Sequence, residues 1–361
     1  MRARASSGSV EVAAPVAWTR ANLFATWWQS LLTLAGLALI YRIGRPILDW
    51  AVFEAAFGST PESCVDIRGA CWSFIADRYP VFLVGTYPGD ERWRPLVALL
   101  VLLGLGGLAL IRDARRRRAF LWISLAVPVA LLVLLKGGPA VGLREVDTQA
   151  WGGLMLTVIL STVGILFSFP VGLLLALGRR SRKMPVVRAL AVGYIELIRG
   201  VPLVSVLFLA AVLVPLFLPG GADVDSLLRA QIGIVAFQSA YIAEVIRGGL
   251  QAVPSGQEEA ATALGLGPLR SMRLVIVPQA LRLVVPAMVN QIIIIIKDTS
   301  LVVVVGMHDL LGIAELSVRG APWLGKTYEA YAFVGLIYWA TCFTISRASL
   351  RLEARFRQSR A

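Results

Sequence analysis

The residues best able to do chemistry in this 361-residue chain are the few ionisable and amide side chains inside or beside its long apolar runs. Lys297-Asp298-Thr299 follows five consecutive isoleucines, Ile292 to Ile296, and Asn290 and Gln291 lie about two turns earlier. Glu244 closes another apolar run, and Arg247, three residues on, shares its helix face. Charged groups in a bilayer are costly and generally face a bundle interior or a wet cavity. Two uses stay open for these side chains: direct contact with a zwitterionic ligand, or a structural or gating polar network. Glu244 and Arg247 can also form a simple ion pair at the membrane edge. Covalent chemistry finds little support. The one histidine, His308, cannot make a His-rich metal site and reads as an interfacial polar residue. A membrane-embedded hydrolase or acyltransferase needs a nucleophile with a positioned base, and neither a Gly-x-Ser-x-Gly elbow nor a His-Glu-x-x-His run is present. The sequence predicts no catalytic residue and no metal ligand.

The second informative stretch runs from Gly256 to Pro278, polar between two apolar segments. Gln257 to Leu264 is rich in strong helix formers. Gly265-Leu266-Gly267-Pro268 breaks that helix, and Leu269 to Val277 reads as a second short helix stopped at Pro278. Ala260 and Ala261 offer a small-residue face suited to close packing against another protein.

These residues carry a resemblance. Glu259-Ala260-Ala261, then Gly265, then Val275-Ile276-Val277-Pro278 match the EAA loop of permease subunits of bacterial ATP-driven (ABC) importers. Ser239-Ala240-Tyr241-Ile242-Ala243-Glu244 and Arg247-Gly248-Gly249 precede the loop. Pro278-Gln279-Ala280-Leu281-Arg282, Pro286, Asn290 and Lys297-Asp298-Thr299-Ser300-Leu301 follow it. The ordered series, spread over residues 149–350, resembles the polar amino acid branch, the histidine/glutamine permease type. The chain is most similar to the long permease subunit of general L-amino acid transport systems.

That resemblance implies a transmembrane permease subunit of an ATP-driven importer of polar L-amino acids, broad in range. It implies that Glu259, Ala260, Ala261, Leu264, Gly265 and Pro278 seat in a separate ATPase. It adds Tyr241 to Glu244, Asn290, Lys297, Asp298 and Thr299 as candidates for the substrate path. The expected partners are a homologous permease in a heterodimer, two ATP-binding subunits, a periplasmic amino-acid-binding protein and membrane lipid. No cofactor is expected on this chain; ATP and Mg belong to the partner ATPase, since the chain lacks a phosphate-cradling Gly-x-x-x-x-Gly-Lys-Ser/Thr loop. The rival is a stand-alone secondary transporter, which often shows two repeated halves; no internal repeat is found.

Composition points the same way. Hydrophobic residues make up 57% of the chain, and the mean hydropathy is +0.74, far from an ordinary soluble protein. The net charge of +13 sits in short loops on alternate sides of apolar runs, a positive-inside pattern rather than a nucleic-acid patch. Apolar runs at 24–41, 95–111, 119–135, 151–177, 186–218, 227–245, 281–305 and 328–345 predict about eight transmembrane helices. Pro170 is expected to break the fourth. Gly200 and Pro202 are expected to break or kink the fifth just beyond Glu196 and Arg199, which are placed to pair.

The expected fold is therefore an all-α polytopic membrane protein, with a five-helix type I importer core at 151–348. A tail (1–23) and an extra three-span region (24–136, with an external loop at 42–94) precede the core, the docking loop occupies 256–280, and a second tail ends the chain (349–361). Arg112-Asp113-Ala114-Arg115-Arg116-Arg117-Arg118 is the strongest topology marker, with a lipid-headgroup site as its second reading. It places both termini and the docking loop in the cytoplasm of a bacterial inner membrane, and no cleavable signal peptide precedes the first span. Cys64 and Cys71 fall in the external loop, where an oxidising periplasm permits a disulfide that spacing neither requires nor excludes. Cys342 reads as a packing residue, and Thr157, Ser161, Thr162 and Ser168 as small residues at helix contacts.

Overall fold

The computed structural model describes residues 15–109 and 126–358, apart from 59, 66, 182 and 218–223. Two compact units divide between residues 73 and 74. The basic run at 112–118 and most of the expected N-terminal tail lie outside the described residues.

In the first unit, α1 (Pro15–Leu23) occupies the end of that tail. The second helix, α2 (Trp27–Leu48), begins where the Thr26 hydroxyl accepts from the Gln29 N–H at 3.4 Å. It runs beyond residue 41, the expected end of the span, into a π turn at Asp49–Phe53. Within the extension, Arg45 reaches partners one turn away on either side, the Tyr41 hydroxyl (2.7 Å) and Asp49 (3.6 Å). Cys64 and Cys71 are bridged, with Cα atoms 5.6 Å apart, within the range a disulfide needs. The Trp72 indole N–H donates to the Ala51 carbonyl (2.7 Å) and closes this loop onto the end of the helix. Alkylation of the intact protein without reductant is expected to label Cys342, a free and half-buried thiol, and to spare Cys64 and Cys71. Three labelled cysteines per chain would show that the bridge is open.

The second unit contains a helix the sequence reads as loop, α3 (Ser73–Val84). Its Phe74 and Phe82 are fully buried, against Trp323 (5.6 Å between ring centroids) and Phe333 (5.2 Å), so tertiary burial makes the helix rather than a long apolar run. Two apolar helices follow, α4 (Trp93–Ala109) and α5 (Ala126–Lys136). Next, α6 (Gly153–Arg180) is a single 28-residue helix. Pro170 does not break it, contrary to expectation; packed membrane helices absorb the missing N–H where neighbours hold both sides. α7 (Pro185–Arg199) and α8 (Leu203–Leu216) meet at 110° across Gly200-Val201-Pro202, so the fifth span is a bent pair.

The central helix, α9 (Ser226–Gln251), lies along α6. A methyl group at Gly172 would meet Ile242 and the Ser239 carbonyl oxygen at 2.9 Å, so glycine lets the two backbones approach. Ser168 donates to the Val235 carbonyl at 3.4 Å across the same contact. The chain then forms α10 (Ser255–Ala263), α11 (Pro268–Ser271), a π turn (Met272–Ile276), α12 (Val277–Asp298) and a 3-10 turn (Thr299–Val305). From Pro268 to Val305 these make one 38-residue helical rod. Pro278 therefore does not stop a helix. It sits in the first turn of α12, where a missing N–H is tolerated, and the π turn before it shifts the pairing by one residue, Val277 N–H to Met272 carbonyl.

The stretch at 308–326, expected to be external, holds a two-residue strand, β1 (His308–Asp309), and a buried helix, α13 (Leu310–Ser317). α14 (Thr327–Gln358) ends the described chain and continues the last span through the residues expected to form a tail. Among the described residues, four helices can cross a membrane by length and composition, Trp27–Phe53, Gly153–Arg180, Pro268–Val305 and Thr327–Leu350, and the bent pair makes a fifth. Of the other expected spans, those at 95–111 and 119–135 lie partly outside the described residues, and α9 carries Arg229, Glu244 and Arg247 along its length.

Candidate functional site

The polar loop between α9 and α12 presents a built surface. Helix α10 ends in a Schellman turn: the Gly265 N–H donates to the Thr262 carbonyl (2.9 Å) and the Leu266 N–H to the Ala261 carbonyl (3.0 Å). That turn needs a residue at positive φ, and Gly265 sits at +76°. Glu259 and Ala260 face outward, whereas Ala261 is 3% exposed and turned into the chain. Of the expected small-residue pair only Ala260 faces out, while Ala261 is buried on the side where α10 meets the rest of the chain. Pro278 is exposed at the foot of α12. Two further residues of the loop that pattern reading passes over are exposed like Leu264 (82%): Leu269 at 81% and Leu274 at 62%. Large aliphatic side chains in a polar loop were the available signal, since exposed apolar clusters mark contact surfaces. The loop is tied back to the bundle by Arg180–Glu258 (2.7 Å, to α6) and by Gln279 donating to Gln257 (3.0 Å, from α12).

Glu244 is the hub of an ion network that joins three helices. Arg179 of α6 reaches it at 2.9 Å, Arg247 of α9 at 2.9 Å, and Arg199 of α7 at 3.5 Å. Arg179 also holds Glu196 at 2.9 Å. The expected Glu196–Arg199 pair does not form: Arg179 takes Glu196, and Arg199 turns to Glu244 and to the face of Tyr241, 5.7 Å from its ring centroid. Spacing along α7 alone cannot show that two other helices supply stronger partners. Nor does it reveal Arg179, which reads from sequence only as a topology marker.

The remaining path candidates separate by direction. Asn290 and Lys297, seven positions apart, share an exposed face of α12. Asp298 turns to α9 and accepts from Gln238 Nε2 (3.0 Å), whose Oε1 in turn accepts from Gln291 (3.3 Å). Thr299 is fully buried and donates to the Ile296 carbonyl at 2.8 Å. It also reaches Asp309, a buried carboxylate that the sequence reading misses and that the Tyr338 hydroxyl contacts at 2.8 Å. An Asp directly ahead of Leu310-Leu311-Gly312 was a legible N-cap signal. Among the described residues, no group of three or more His, Cys, Asp or Glu could hold a metal ion.

A family model described as a binding-protein-dependent transport system inner membrane component matches residues 168–358. The chain is 47% identical to the inner membrane amino-acid ABC transporter permease protein YhdY of Escherichia coli (strain K12), covering 95% of this chain and 93% of that protein. It is 35% identical to the glutamate/glutamine/aspartate/asparagine transport system permease protein BztC of Rhodobacter capsulatus, over 95% and 94% of the two chains. A solved structure described as an amino acid ABC transporter with histidines superposes with a TM-score of 0.51 at 33% identity, covering 56% of this chain and 92% of the solved one.

Proposed function

We propose how this geometry serves amino acid import, given that the chain belongs to the family of binding-protein-dependent transport system inner membrane components. It is a multi-pass inner-membrane permease subunit of an amino acid ABC importer, and it is not an enzyme: ATP hydrolysis belongs to separate subunits. The observation that carries the working reading is the Gly265 turn at positive φ in a loop whose Leu264, Leu269 and Leu274 side chains are all exposed. Exposed aliphatic side chains on a polar loop between two bundle helices suit a cytoplasmic ATPase, which would seat Glu259, Ala260, Leu264 and Gly265. ATP binding to that partner then favours one permease conformation over the other through contacts that differ between the two states.

Within the bundle, Asn290 and Lys297 face outward from α12 and are the groups free to meet a zwitterionic amino acid. Glu244, Asp298 and Thr299 are engaged by neighbouring helices and act in the gating network. The relative from Rhodobacter capsulatus, described as transporting glutamate, glutamine, aspartate and asparagine, favours a polar and broad range. The assembly we infer contains a homologous permease in a heterodimer, two ATP-binding subunits carrying ATP and Mg, and a periplasmic binding protein, with both termini of this chain in the cytoplasm. Uptake of a labelled amino acid panel, in cells lacking this chain and after its restoration, tests the reading. Restoration is expected to recover uptake of several polar amino acids. Recovery of one alone would remove the broad range, and recovery of none, with the chain inserted and its ATPase present, would remove the substrate class.

A further inference from the structure

We propose that Asp309 is a positioning residue for transport: an outer latch that holds the far end of the Pro268–Val305 rod to α6 and α14. The proposal rests on the docking reading above and extends it to the opposite end of the rod. Asp309 and Thr299 are fully buried, and Thr157 is 2% exposed. The Asp309 backbone bridges to Gly153 at the start of α6, and the next amide, Leu310 N–H, donates to Thr157 Oγ1 of α6 at 3.2 Å. The carboxylate then reaches three more elements. Its Oδ1 accepts from the Gly312 N–H (3.0 Å) and caps α13. Its Oδ2 accepts from the Tyr338 hydroxyl of α14 (2.8 Å) and, more loosely, from the Thr299 hydroxyl at the end of the rod (3.4 Å). Neutral donors and a helix N-terminus meet the carboxylate here, so one residue, by side chain and backbone together, joins four elements.

The rod gives this junction its purpose. It leaves the docking loop at Pro268 and ends in the 3-10 turn that Thr299 opens. A displacement of the loop therefore arrives at the outer end through continuous helix, where the rod can either slide past α6 and α14 or pivot against them. With Tyr338 bound to Asp309 at 2.8 Å, and Thr299, whose hydroxyl proton goes mainly to the Ile296 carbonyl, seated 3.4 Å from the same carboxylate, the outer end is a fixed point and the displacement becomes tilt. A cavity of about 260 Å³ lies beside the latch, lined by Thr157, Ser161, Ile292, Ile296, Ile337 and Tyr338, and gives the rod room to tilt.

The test uses the assembled importer in proteoliposomes, reading copurified ATPase and amino acid moved per ATP hydrolysed. For Asp309→Ala, copurification is expected to be normal and transport per ATP to fall about tenfold or more. Tyr338→Phe is expected to show part of that loss. Asp309→Asn keeps an acceptor in place and is expected to stay within about threefold of the parent. Wild-type transport per ATP in whatever Asp309→Ala and Tyr338→Phe complexes assemble, with only the amount of complex reduced, would mean a merely structural role and overturn the latch. Loss of the ATPase from the Asp309→Ala complex would overturn it too, by placing the defect at docking. A Gly265→Asp importer that keeps its ATPase and transports normally would instead remove the docking reading, and with it the latch's source of movement.

Discussion

Gly265→Asp is expected to lower ATP-driven uptake about a hundredfold, equivalent to roughly 3 kcal/mol at the centre of an interface, while the amount of inserted chain stays unchanged. The expectation separates two costs. Within the chain, a non-glycine residue at φ +76° carries a backbone penalty of only about 1 kcal/mol, with Asp and Asn the best tolerated. Space is no obstacle either, since nothing lies within 4 Å of a Cβ built at this position. A loss far above the backbone cost must therefore arise where the turn meets another protein, from a side chain and a charge pushed into that contact. Gly265→Asn, isosteric and uncharged, divides the effect between shape and charge. Copurification of the ATPase with each variant reads it directly. If Gly265→Asp retained its ATPase and transported normally, the loop would not be the docking surface.

That loop was legible because it is local. Glycine and proline placement marks its turn, and the order of its residues carries the family resemblance without any contact between helices. What stayed hidden depends on which helices meet. The Glu196–Arg199 spacing is right for a pair, yet Arg179 from α6 and Glu244 from α9 redistribute the partners. Ala261 is as small as Ala260, but only the fold shows that one faces in. Asp309 sits in a stretch with no span-length apolar run, so its burial among α6, α13, α14 and the end of the rod has no one-dimensional trace. α3 is similar, a helix made by aromatic contacts with residues far along the chain. The family model matches residues 168–358, so α2, which has no buried residue within the chain, lies outside the matched stretch.

The second large effect is expected at Glu244. Its carboxylate is 15% exposed and faces three guanidinium groups, on Arg179, Arg199 and Arg247, while Glu196 supplies the only other negative charge in the network. Glu244→Gln would leave three cations around one carboxylate and turn an amide N–H₂ towards donors that need acceptors. Losing a hydrogen-bonded, partly buried charge of this kind costs roughly 2–3 kcal/mol. Most of the loss should lie with Arg179 and Arg247 at 2.9 Å, because Arg199 is longer at 3.5 Å and more exposed. The expected result is a purified chain with a clearly lower unfolding midpoint in detergent and uptake reduced for every amino acid alike. Adding Arg199→Gln, which removes one surplus cation, is expected to recover part of both. The gating and contact readings part here. A Glu244→Gln chain of undiminished stability that lost some amino acids and kept others would make Glu244 a ligand contact, and the network would then be its scaffold rather than its function.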